Sequence, residues 1–298
     1  MTNRKEDSVR APCLNHPVIS IAMPVLNCES TVEMAVRSIL NQTFCGWELI
    51  IIDDGSTDGT LKKLSSFRDS RIAVYQDGQN KGLPVRLNEA LGKASGKYFA
   101  RMDGDDVSYP RRLELQLGYL QSHDEIDLLG GGVLVFGKWG RAIGKRVPPR
   151  EHSDICSRPY SGFPMVHPTF FGRTEWFRLW MFKPDAGGAC DQDLLIRSFG
   201  QSRLANVPEI LLGYREENVS LRKCTAYRSS FNRSLISYYW NTNRVTLLVA
   251  LALVVIKSVI DMVAVVTGLQ YRILRHRACP ASGKEIANWK EVWNSVNV

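Results

Sequence analysis

The sequence lacks the glycine-rich phosphate-binding loops that many nucleotide enzymes carry. Its 298 residues contain no Gly-x-x-x-x-Gly-Lys loop and no Gly-x-Gly-x-x-Gly fingerprint, so a bound diphosphate would have to be held in another way, such as by a metal ion. The segment after the first apolar run, Pro24–Ser30, has no glycine, lysine or arginine. That absence argues against a sugar nucleotidyltransferase, which usually has a glycine-rich, basic loop there.

Cysteines are few and lack a metal-binding spacing. The seven thiols are scattered, odd in number and never arranged as Cys-x-x-Cys, which argues against a disulfide framework or a structural zinc site and favours a reducing compartment. Residues 1–17 are polar, without the apolar core of a signal peptide. We therefore expect a polar N-terminal tail and a cytoplasmic catalytic part.

Positive charge is concentrated in one quarter of the chain. The net charge is +8, and Arg222–Arg277 holds nine lysines and arginines against the single acid Asp261, so this quarter accounts for the whole excess. Aromatic residues and a long apolar run interrupt the basic residues, which favours a membrane surface over nucleic acid as the partner.

Within that quarter, Val245–Val266 is long enough to cross a bilayer, which takes about 20 residues. Lys257 and Asp261 interrupt the run; they are four apart and could pair, but a mid-span charge costs about 2.5–3.5 kcal/mol. A helix in the membrane interface, or packed on the protein, is the alternative. The basic cluster at 272–277 favours the cytoplasmic side, so we expect the cytoplasmic face of a membrane, peripherally or with one C-terminal transmembrane helix.

Short apolar runs alternate with amphipathic stretches in the first half of the chain. The spacing Ser30-x-x-Glu33 predicts a capped helix, and leucines at 83, 87 and 91 share one helical face. The repeated order strand, helix, strand predicts an α/β fold with a mainly parallel central sheet flanked by helices. The predicted strands are Val18–Met23, Glu48–Ile52, Arg71–Tyr75, Lys97–Met102 and Ile126–Phe136.

Beyond the fifth strand the pattern weakens. Residues 137–168 are rich in Gly, Pro and Arg and keep no period, which indicates loops; Pro168–Phe171 is a possible strand, Asp191–Phe199 a helix, and Arg222–Asn241 an aromatic helical stripe. We divide the chain into an N-terminal tail (1–17), a catalytic domain (18–220) with a nucleotide-binding half (about 18–136) and an acceptor half (about 137–220), and a helical, basic, membrane-associated region (221–298).

Two acidic motifs stand where apolar strands end. One strand runs into Asp53-Asp54-Gly55-Ser56, and another into Asp103-Gly104-Asp105-Asp106. The carboxyl ends of strands in a wound sheet converge on one crevice, so the motifs should meet there. Alternate carboxylates suit a Mg²⁺ or Mn²⁺ that bridges a diphosphate. Because an ionised carboxylate only accepts hydrogen bonds, Asp53 or Asp54 suits the N–H of a pyrimidine base.

Plainer interpretations of both motifs remain open. A strand-to-helix connection capped by Ser56 or Asp58 explains the first, and a solvated acidic turn explains the second. A calcium-binding EF-hand fails, although Glu114 is twelfth from Asp103, because Ser108 replaces the required glycine and Pro110 breaks the loop.

Several motifs follow one another in a fixed order along the first part of the chain. They are Met23–Asn27, Ser38–Thr43, Glu48–Asp58, Asn80–Leu83, Arg86–Asn88 and Ala100–Asp106. Together they closely resemble family 2 glycosyltransferases of the Rossmann-like GT-A fold, with a match that is dense from Val18 to Leu120 and thin beyond. The resemblance implies an inverting enzyme that moves a sugar from a nucleoside-diphosphate sugar to an acceptor hydroxyl with Mn²⁺ or Mg²⁺.

The resemblance also implies roles for single residues. Asp105 would bind the metal and Asp103 would lie near the ribose. In the mechanism that follows, Arg86 or Lys81 would help to neutralise the departing diphosphate, and a solvated turn residue is the alternative interpretation of Lys81. The expected nucleotide-sugar site comprises Pro24, Val25, Asn27, Asp53, Asp54, Lys81, Arg86, Asp103 and Gly104.

In the resembled family the catalytic base comes from an acidic pair, usually Glu-Asp, at the start of a later helix. Cys190-Asp191-Gln192-Asp193 corresponds to it. Asp191 matches the base, Cys190 stands where glutamate is usual, and Asp193 is a rival. A helix N-cap is the structural alternative for Asp191.

The expected partners are a nucleoside-diphosphate sugar, with a UDP-sugar as first expectation, a lipid-linked or oligosaccharide acceptor such as a growing surface polysaccharide, and a membrane surface. The segment His167-Pro168-Thr169 resembles one bordering the acceptor, and Trp176 is expected in the core rather than on a sugar. Besides the nucleotidyltransferase, the alternative function is an inactive nucleotide-sugar-binding membrane scaffold, which only the Cys190 departure supports.

Overall fold

The computed structural model describes residues 16–216, 221–268 and 278–297; the predicted tail therefore lies mostly outside the described residues, and the basic cluster at 272–277 lies wholly outside them. One mixed sheet forms the centre of the fold. Its strands are β1 (Ile19–Val25), β2 (Trp47–Asp53), β3 (Ile72–Gln76), β4 (Tyr98–Arg101), β5 (Val107–Ser108), β6 (Leu128–Phe136), β7 (Ala142–Arg146), β8 (Phe171–Arg173) and β9 (Leu204–Arg215).

Helices cover both faces of this sheet and continue beyond it at the C-terminal end. They are α1 (Val32–Leu40), α2 (Thr60–Leu64), α3 (Leu83–Lys93), α4 (Arg112–Ser122), α5 (His152–Ile155), α6 (Thr174–Trp180), α7 (Cys190–Ser198), α8 (Leu221–Tyr239), α9 (Arg244–Val266) and α10 (Gly283–Val296).

The strand order is β3-β2-β1-β4-β8-β6-β9-β5, with β7 beside β6. The first four strands are parallel to one another, as are β6 and β9, whereas β8, β7 and β5 pair antiparallel with their neighbours. Leu49–Ile52 of β2 are at most 1% exposed, as expected for a parallel strand covered on both faces. The predicted α/β class is confirmed.

Two details of the predicted elements are wrong. No capping box starts α1, because the N-cap residue is Thr31 and its side chain makes no capping hydrogen bond. The possible strand at Pro168–Phe171 is a 3-10 turn at His167–Thr169 followed by β8. Residues 137–168 hold β7 and α5 as well as loops.

The C-terminal helices pack in two different places on the fold. Helices α8 and α9 pack beside α7, with Leu235 and Leu247 in the same core as Leu194. Helix α10 returns to the other end of the sheet, where Trp289 is 1% exposed and packs on Phe136 with 4.8 Å between ring centroids. The region 221–298 is thus two separate additions to the catalytic fold.

Candidate active site at the carboxyl edge of the sheet

The carboxyl ends of β1, β2 and β4 form the floor of the candidate site. Val25 pairs in register with Asp53 of β2, and on the other side of β1, Ala22 pairs with Arg101 of β4. The two acidic motifs therefore leave the sheet at the same edge, as their positions after strands predicted.

Asp53 keeps one carboxylate oxygen without a partner. Its Oδ2 accepts from the backbone N–H groups of Gly55 and Ser56 at 3.1 and 3.0 Å, whereas Oδ1 is buried and has no hydrogen-bond partner in the described part of the chain. Gly55 has a φ of +82°, and a Cβ there would lie 3.0 Å from the Gln79 carbonyl carbon, so this turn requires glycine. A buried acceptor without a donor is costly, which suits Oδ1 to a ligand N–H.

Asp54 is occupied by the protein itself. Its carboxylate accepts from the N–H groups of Lys81 and Gly82 at 2.7 and 3.0 Å and from Nε of Arg86 at 2.8 Å. These bonds tie the loop before α3 to the end of β2. Asp54 therefore shapes the site and has no free oxygen directed at a nucleobase.

Arg86 has no donor left for a diphosphate. The residue is 1% exposed, and its five N–H groups are directed at Asp54, Asp77, Glu89 and the Gln79 carbonyl oxygen. The guanidinium holds the pKa of the Asp77 carboxyl far below its usual range. The structure thus gives Arg86 the task of fixing the start of α3, in place of the predicted contact with phosphate.

Lys81 and Asn27 belong to the loops around the site. The Lys81 amine lies 2.5 Å from the Asp77 carboxylate. Asn27 has a left-handed backbone with φ of +52°; its Oδ1 accepts from the Thr57 N–H and its own N–H donates to Ser56 Oγ, both at 2.9 Å. Asn27 therefore joins the loop after β1 to the loop after β2.

Asp103, Asp105 and Asp106 form an acidic cluster, the single such group that could hold a metal ion among the described residues. One oxygen of each lies within 4.8 Å of the others. The Arg101 guanidinium contacts both oxygens of Asp103, at 2.5 and 2.6 Å. Asp106 accepts from the Arg215 N–H at 2.9 Å through Oδ1, while its Oδ2 is buried without a partner.

Burial and crowded negative charge shift the titration of Asp105 and Asp106. Burial and then the charge of Asp103 raise the pKa of Asp105 to about 6. Burial and the two neighbouring carboxylates raise the pKa of Asp106 well above its usual range. Carboxylate oxygens are the ligands that Mg²⁺ and Mn²⁺ prefer, and a cation would relieve the repulsion between these acids. The three residues fit the predicted metal, with Asp105 joined by both neighbours.

Gly104 lets the acidic cluster lie against β1. A Cβ at this position would come 2.7 Å from Cγ1 of Val25, and the Gly104 carbonyl accepts from Thr31 Oγ1 at 3.0 Å. This close approach of the loop to β1 therefore requires glycine. Pro24 and Val25 are both buried within β1, beneath this loop.

The two acids at the start of α7 differ in their partners. Asp193 accepts from Arg197 Nε at 2.7 Å and from Ser234 Oγ of α8 at 2.9 Å, so both of its oxygens are taken. Asp191 accepts from the Gln192 side-chain amide at 3.2 Å, and its Oδ1 is buried without a partner among the residues that the structure describes.

Neither acid caps the helix. Helix α7 begins at Cys190, its N-cap residue is Ala189, and no side chain makes a capping hydrogen bond there. The N-cap interpretation of Asp191 is therefore wrong, and the free oxygen makes Asp191 the stronger candidate base of the two.

The surroundings of Asp191 are weakly polar. Burial raises its pKa, and the Gln192 amide and, less strongly, the Arg101 guanidinium offset part of this rise. Burial also raises the pKa of the Cys190 thiol, so the thiol is uncharged at neutral pH. Desolvation, followed by the charge of Asp191, raises the pKa of Tyr227 on α8 well above its usual range.

His167 and Trp176 serve the packing. The His167 ring lies 5.0 Å from Phe170 and 5.8 Å from Phe182 between centroids, and burial keeps its pKa well below the usual range. Trp176 is buried and donates from Nε1 to Ser202 Oγ at 2.9 Å, as expected for a core residue.

Sequence reasoning missed Arg215 and gave Tyr227 no role beyond an aromatic stripe. Arg215 donates from Nε to the Asp105 carbonyl at 3.0 Å, and its guanidinium lies 4.8 Å from the Phe136 ring centroid. It is 110 residues from Asp105 along the chain, and a single arginine at the end of an unrecognised strand carries no signal.

Fold and site together define a GT-A glycosyltransferase. The family model described as glycosyl transferase family 2 matches residues 20–180, more than half of the chain. The chain therefore belongs to glycosyltransferase family 2, which confirms the predicted family and makes the nucleotidyltransferase alternative wrong.

Two curated relatives illustrate the similarity. The protein named "Putative glycosyltransferase EpsE" of Bacillus subtilis (strain 168) is 34% identical over 229 residues, which cover 74% of this chain and 81% of the relative. The Escherichia coli UDP-Glc:alpha-D-GlcNAc-diphosphoundecaprenol beta-1,3-glucosyltransferase WfgD is 34% identical over 134 residues, 45% of this chain and 52% of its own.

Among solved structures, glucosyl-3-phosphoglycerate synthase from Mycobacterium tuberculosis, in complex with Mn²⁺, UDP and phosphoglyceric acid, is similar with a TM-score of 0.56. It is 22% identical, and the match covers 74% of this chain and 78% of that one. This likeness shows the shared fold.

Proposed function

We propose that the protein is a metal-dependent, inverting glycosyltransferase that moves a sugar from a nucleoside-diphosphate sugar to an acceptor hydroxyl. The observation that carries the proposal is a set of buried carboxylate oxygens in the candidate site that have no hydrogen-bond partner within residues 16–216, 221–268 and 278–297, one each on Asp53, Asp106 and Asp191. Such oxygens are costly unless a ligand uses them, and base N–H, metal and acceptor hydroxyl account for all three.

The donor binds at the ends of β1, β2 and β4, with a UDP-sugar as the first candidate. Asp53 Oδ1 would accept from the N–H of the uracil, and Asp103 lies nearest the ribose. Pro24, Val25 and Gly104 form the wall beneath. Lys81, Asp54, Asn27 and Arg86 act by holding the surrounding loops.

The acidic cluster would hold Mn²⁺ or Mg²⁺ through Asp105, with Asp103 and Asp106 beside it. When bound, the cation neutralises the negative charge of the diphosphate leaving group. Support comes from the oxygen donors of the cluster and from the Mn²⁺ and UDP named in the complex of the structural neighbour.

Asp191 acts as the general base. Its Oδ1 takes the proton of the acceptor hydroxyl. The acceptor oxygen then attacks the anomeric carbon from the face opposite the diphosphate. The bond from the anomeric carbon to the leaving oxygen breaks, and its electron pair leaves with the nucleoside diphosphate. Asp193 holds α7 against α8 through Arg197 and Ser234.

The acceptor is a lipid-linked or oligosaccharide chain in surface polysaccharide or glycolipid synthesis, at the cytoplasmic face of a membrane. The basic, partly apolar C-terminal quarter supports this setting. The diphosphoundecaprenol in the name of one relative supports it too.

The first test measures release of nucleoside diphosphate from UDP-, GDP- and dTDP-sugars with Mn²⁺ or Mg²⁺. Slow, metal-dependent hydrolysis of one donor is the expected result, with a UDP-sugar favoured. If the protein hydrolysed none of these donors and was not thermally stabilised by nucleoside diphosphate with metal, the result would instead support the inactive scaffold.

The second test compares Asp191→Asn with Asp193→Asn in transfer to an oligosaccharide acceptor. Loss of the base costs roughly 10²–10⁴-fold in rate, so Asp191→Asn should fall by that factor. Asp193→Asn should keep most of its turnover and lose thermal stability. Turnover that survives both changes would remove Asp191 from the mechanism.

A further inference from the structure

Helix α9 is the one candidate membrane span among the described residues, judged by its length and composition. Those two properties do not separate a spanning helix from one lying on a surface, so its contacts decide. It packs along the catalytic part of the protein, burying Leu247, Ala250 and Val254 in the core that contains α7. One side of the helix is therefore committed to the protein.

Both charges within α9 turn toward that side. The Asp261 carboxylate is 3% exposed and lies 2.5 Å from the Arg228 guanidinium on α8. The Lys257 amine donates to the carbonyl and hydroxyl oxygens of Ser161 at 3.1 and 3.0 Å. Contacts with two parts of the fold thus fasten the second half of the helix.

The opposite side is an uninterrupted apolar surface, which we call the exposed stripe. Ten side chains form it, each at least 47% exposed, from Val245 at 73% through Leu248 and Ile260 to Val266 at 79%. At 3.6 residues per turn they fall within an arc of about 160°, and Lys257 lies outside that arc. Monomeric soluble proteins rarely expose so long an apolar patch.

Basic and aromatic groups border the stripe. The Arg244 guanidinium lies 5.3 Å from the Trp240 ring centroid at the start of α9, and Trp240 is 55% exposed. Such pairs are typical of helices at the membrane–water boundary. The surrounding stretch Arg222–Arg277 carries nine cationic side chains against one acid, which complements anionic lipid headgroups.

We infer that α9 lies in the plane of an anionic phospholipid bilayer, with the exposed stripe in the acyl boundary and the catalytic part on the water side. Crossing the bilayer would break the contacts of Lys257 and Asp261 and place both charges in hydrocarbon. This inference deepens the proposed function and rests on its membrane-borne acceptor. Helix α8, which packs against both α7 and α9, would then lie between the membrane and the candidate base.

The experiment uses the full chain and vesicles of phosphatidylcholine with a quarter of phosphatidylglycerol. Flotation compares wild type with Leu248→Asp and Ile260→Asp on the stripe, and with Val74→Asp on β3 as the matched control. Val74 is 38% exposed and far from α9 in the chain. Each stripe variant should lower the vesicle partition coefficient roughly tenfold, and the control should bind like wild type. Binding should persist in high salt, because the stripe is apolar.

The depth of α9 in the bilayer is then measured with bimane attached to Leu248→Cys, Val255→Cys or Met262→Cys, through quenching of its fluorescence by lipids brominated at different acyl positions. Labelling of the unsubstituted chain gives the background. Equal, shallow depths are expected. Depths graded through the bilayer centre would show a spanning helix and overturn the inference. Three other results would also overturn the inference: vesicle binding that high salt abolishes, vesicle binding that the stripe variants retain, and a dimer in solution that does not bind vesicles.

Release of nucleoside diphosphate without vesicles separates this inference from the proposed function. The stripe variants should hydrolyse the donor at the wild-type rate. If the wild type bound vesicles but did not turn over any donor, the result would contradict the proposed transferase activity and not the membrane position of α9. If it turned over the donor but did not bind vesicles, the result would contradict the membrane position of α9 and not the transferase activity.

Discussion

Two groups of acids near the edge of the sheet differ in how the protein satisfies them. The first group surrounds Arg86, whose guanidinium binds the carboxylates of Asp54, Asp77 and Glu89. The second group comprises Asp53, Asp191 and the cluster acids Asp105 and Asp106, and among the described residues it keeps buried oxygens without partners on Asp53, Asp106 and Asp191.

The difference separates structural acids from candidate functional ones within the same motifs. Asp53 and Asp54 are neighbours in sequence, yet Asp54 is held by three donors of the protein and Asp53 leaves Oδ1 free. Substitution in the first group should therefore reduce stability, and substitution in the second should reduce activity while leaving stability intact. Four predictions test this division, in order of expected effect.

The largest effect is expected from Asp105→Asn. Loss of one carboxylate from the metal cluster should lower kcat/KM roughly 10³-fold, since a catalytic cation contributes several kcal/mol. Thermal stability without metal should not fall, because one of three mutually repelling acids is removed. Stabilisation of the variant by Mn²⁺ with UDP should disappear, as measured by thermal melting.

Asp124→Asn is the matched control for Asp105→Asn, because the Asp124 side chain is 93% exposed. It should keep activity and the response to Mn²⁺. If the Asp105→Asn protein were active but unstable, Asp105 would belong to the first, structural group of acids and not to the second.

The next effect concerns the structural group. Arg86→Leu leaves the buried Asp54 without its charge partner, which should lower the free energy of unfolding by about 3–5 kcal/mol. Urea denaturation at neutral pH measures the change. Arg86→Lys should not restore it, because one ammonium cannot reproduce contacts with three carboxylates and a carbonyl.

Arg111→Leu provides the comparison for Arg86→Leu, since its guanidinium is 64% exposed in a pair with Glu114 at 3.4 Å. Exposed pairs contribute at most about 1 kcal/mol, so little change is expected. If Arg86→Leu instead abolished donor turnover without loss of stability, Arg86 would belong with the phosphate-binding groups.

Asp53→Asn should give a smaller effect, confined to donor binding. An amide cannot accept on both sides, so either the backbone donors of Gly55 and Ser56 or the base N–H loses its acceptor. The loss of about 1–3 kcal/mol corresponds to weaker UDP binding by roughly 5–150-fold. Calorimetry with UDP and CDP checks it: cytosine lacks the N3–H of uracil, so the variant should lose the preference for UDP. A preference kept by the variant would contradict base recognition by Asp53.

The sequence predicts the wound half of the sheet well, because β1, β2 and β4 are almost completely buried and stand out as apolar runs. It fails for β9, whose run is interrupted by Pro208 and Glu209, both exposed at a register shift opposite Gly131 and Gly132. A proline inside a strand argues against that strand in sequence reasoning, although here it marks an irregularity in the pairing.

For the site, the motifs predict which acids gather at the edge but not which of them stay free. Arg86 donates a hydrogen bond to Asp54, which is 32 residues away in the sequence, and Ser234 donates one to Asp193, which is 41 residues away. Donors so distant along the chain are placed by tertiary packing, which no local spacing reports. The preference for Asp191 over Asp193 as the candidate base therefore rests on tertiary contacts that the sequence does not report.

The pH dependence of the reaction tests the second group at its most specific point. Burial raises the pKa of Asp191, and a general base must be ionised, so kcat/KM should fall about tenfold per pH unit below that raised pKa. The midpoint should lie above the ordinary aspartate value of about 3.9. Rates at saturating Mn²⁺ measure it, because an acidic limb that moves with metal concentration belongs to Asp105 and Asp106.

The same shift has a consequence for stability. The folded protein holds the Asp191 proton more tightly than the unfolded chain does, so this carboxyl lowers the free energy of unfolding as pH rises through its pKa range. Asp191→Asn removes that penalty, and the variant should be at least as stable as wild type at neutral pH while losing the acidic limb with its activity. An inactive variant that is also less stable would move Asp191 into the structural group, beside Asp193.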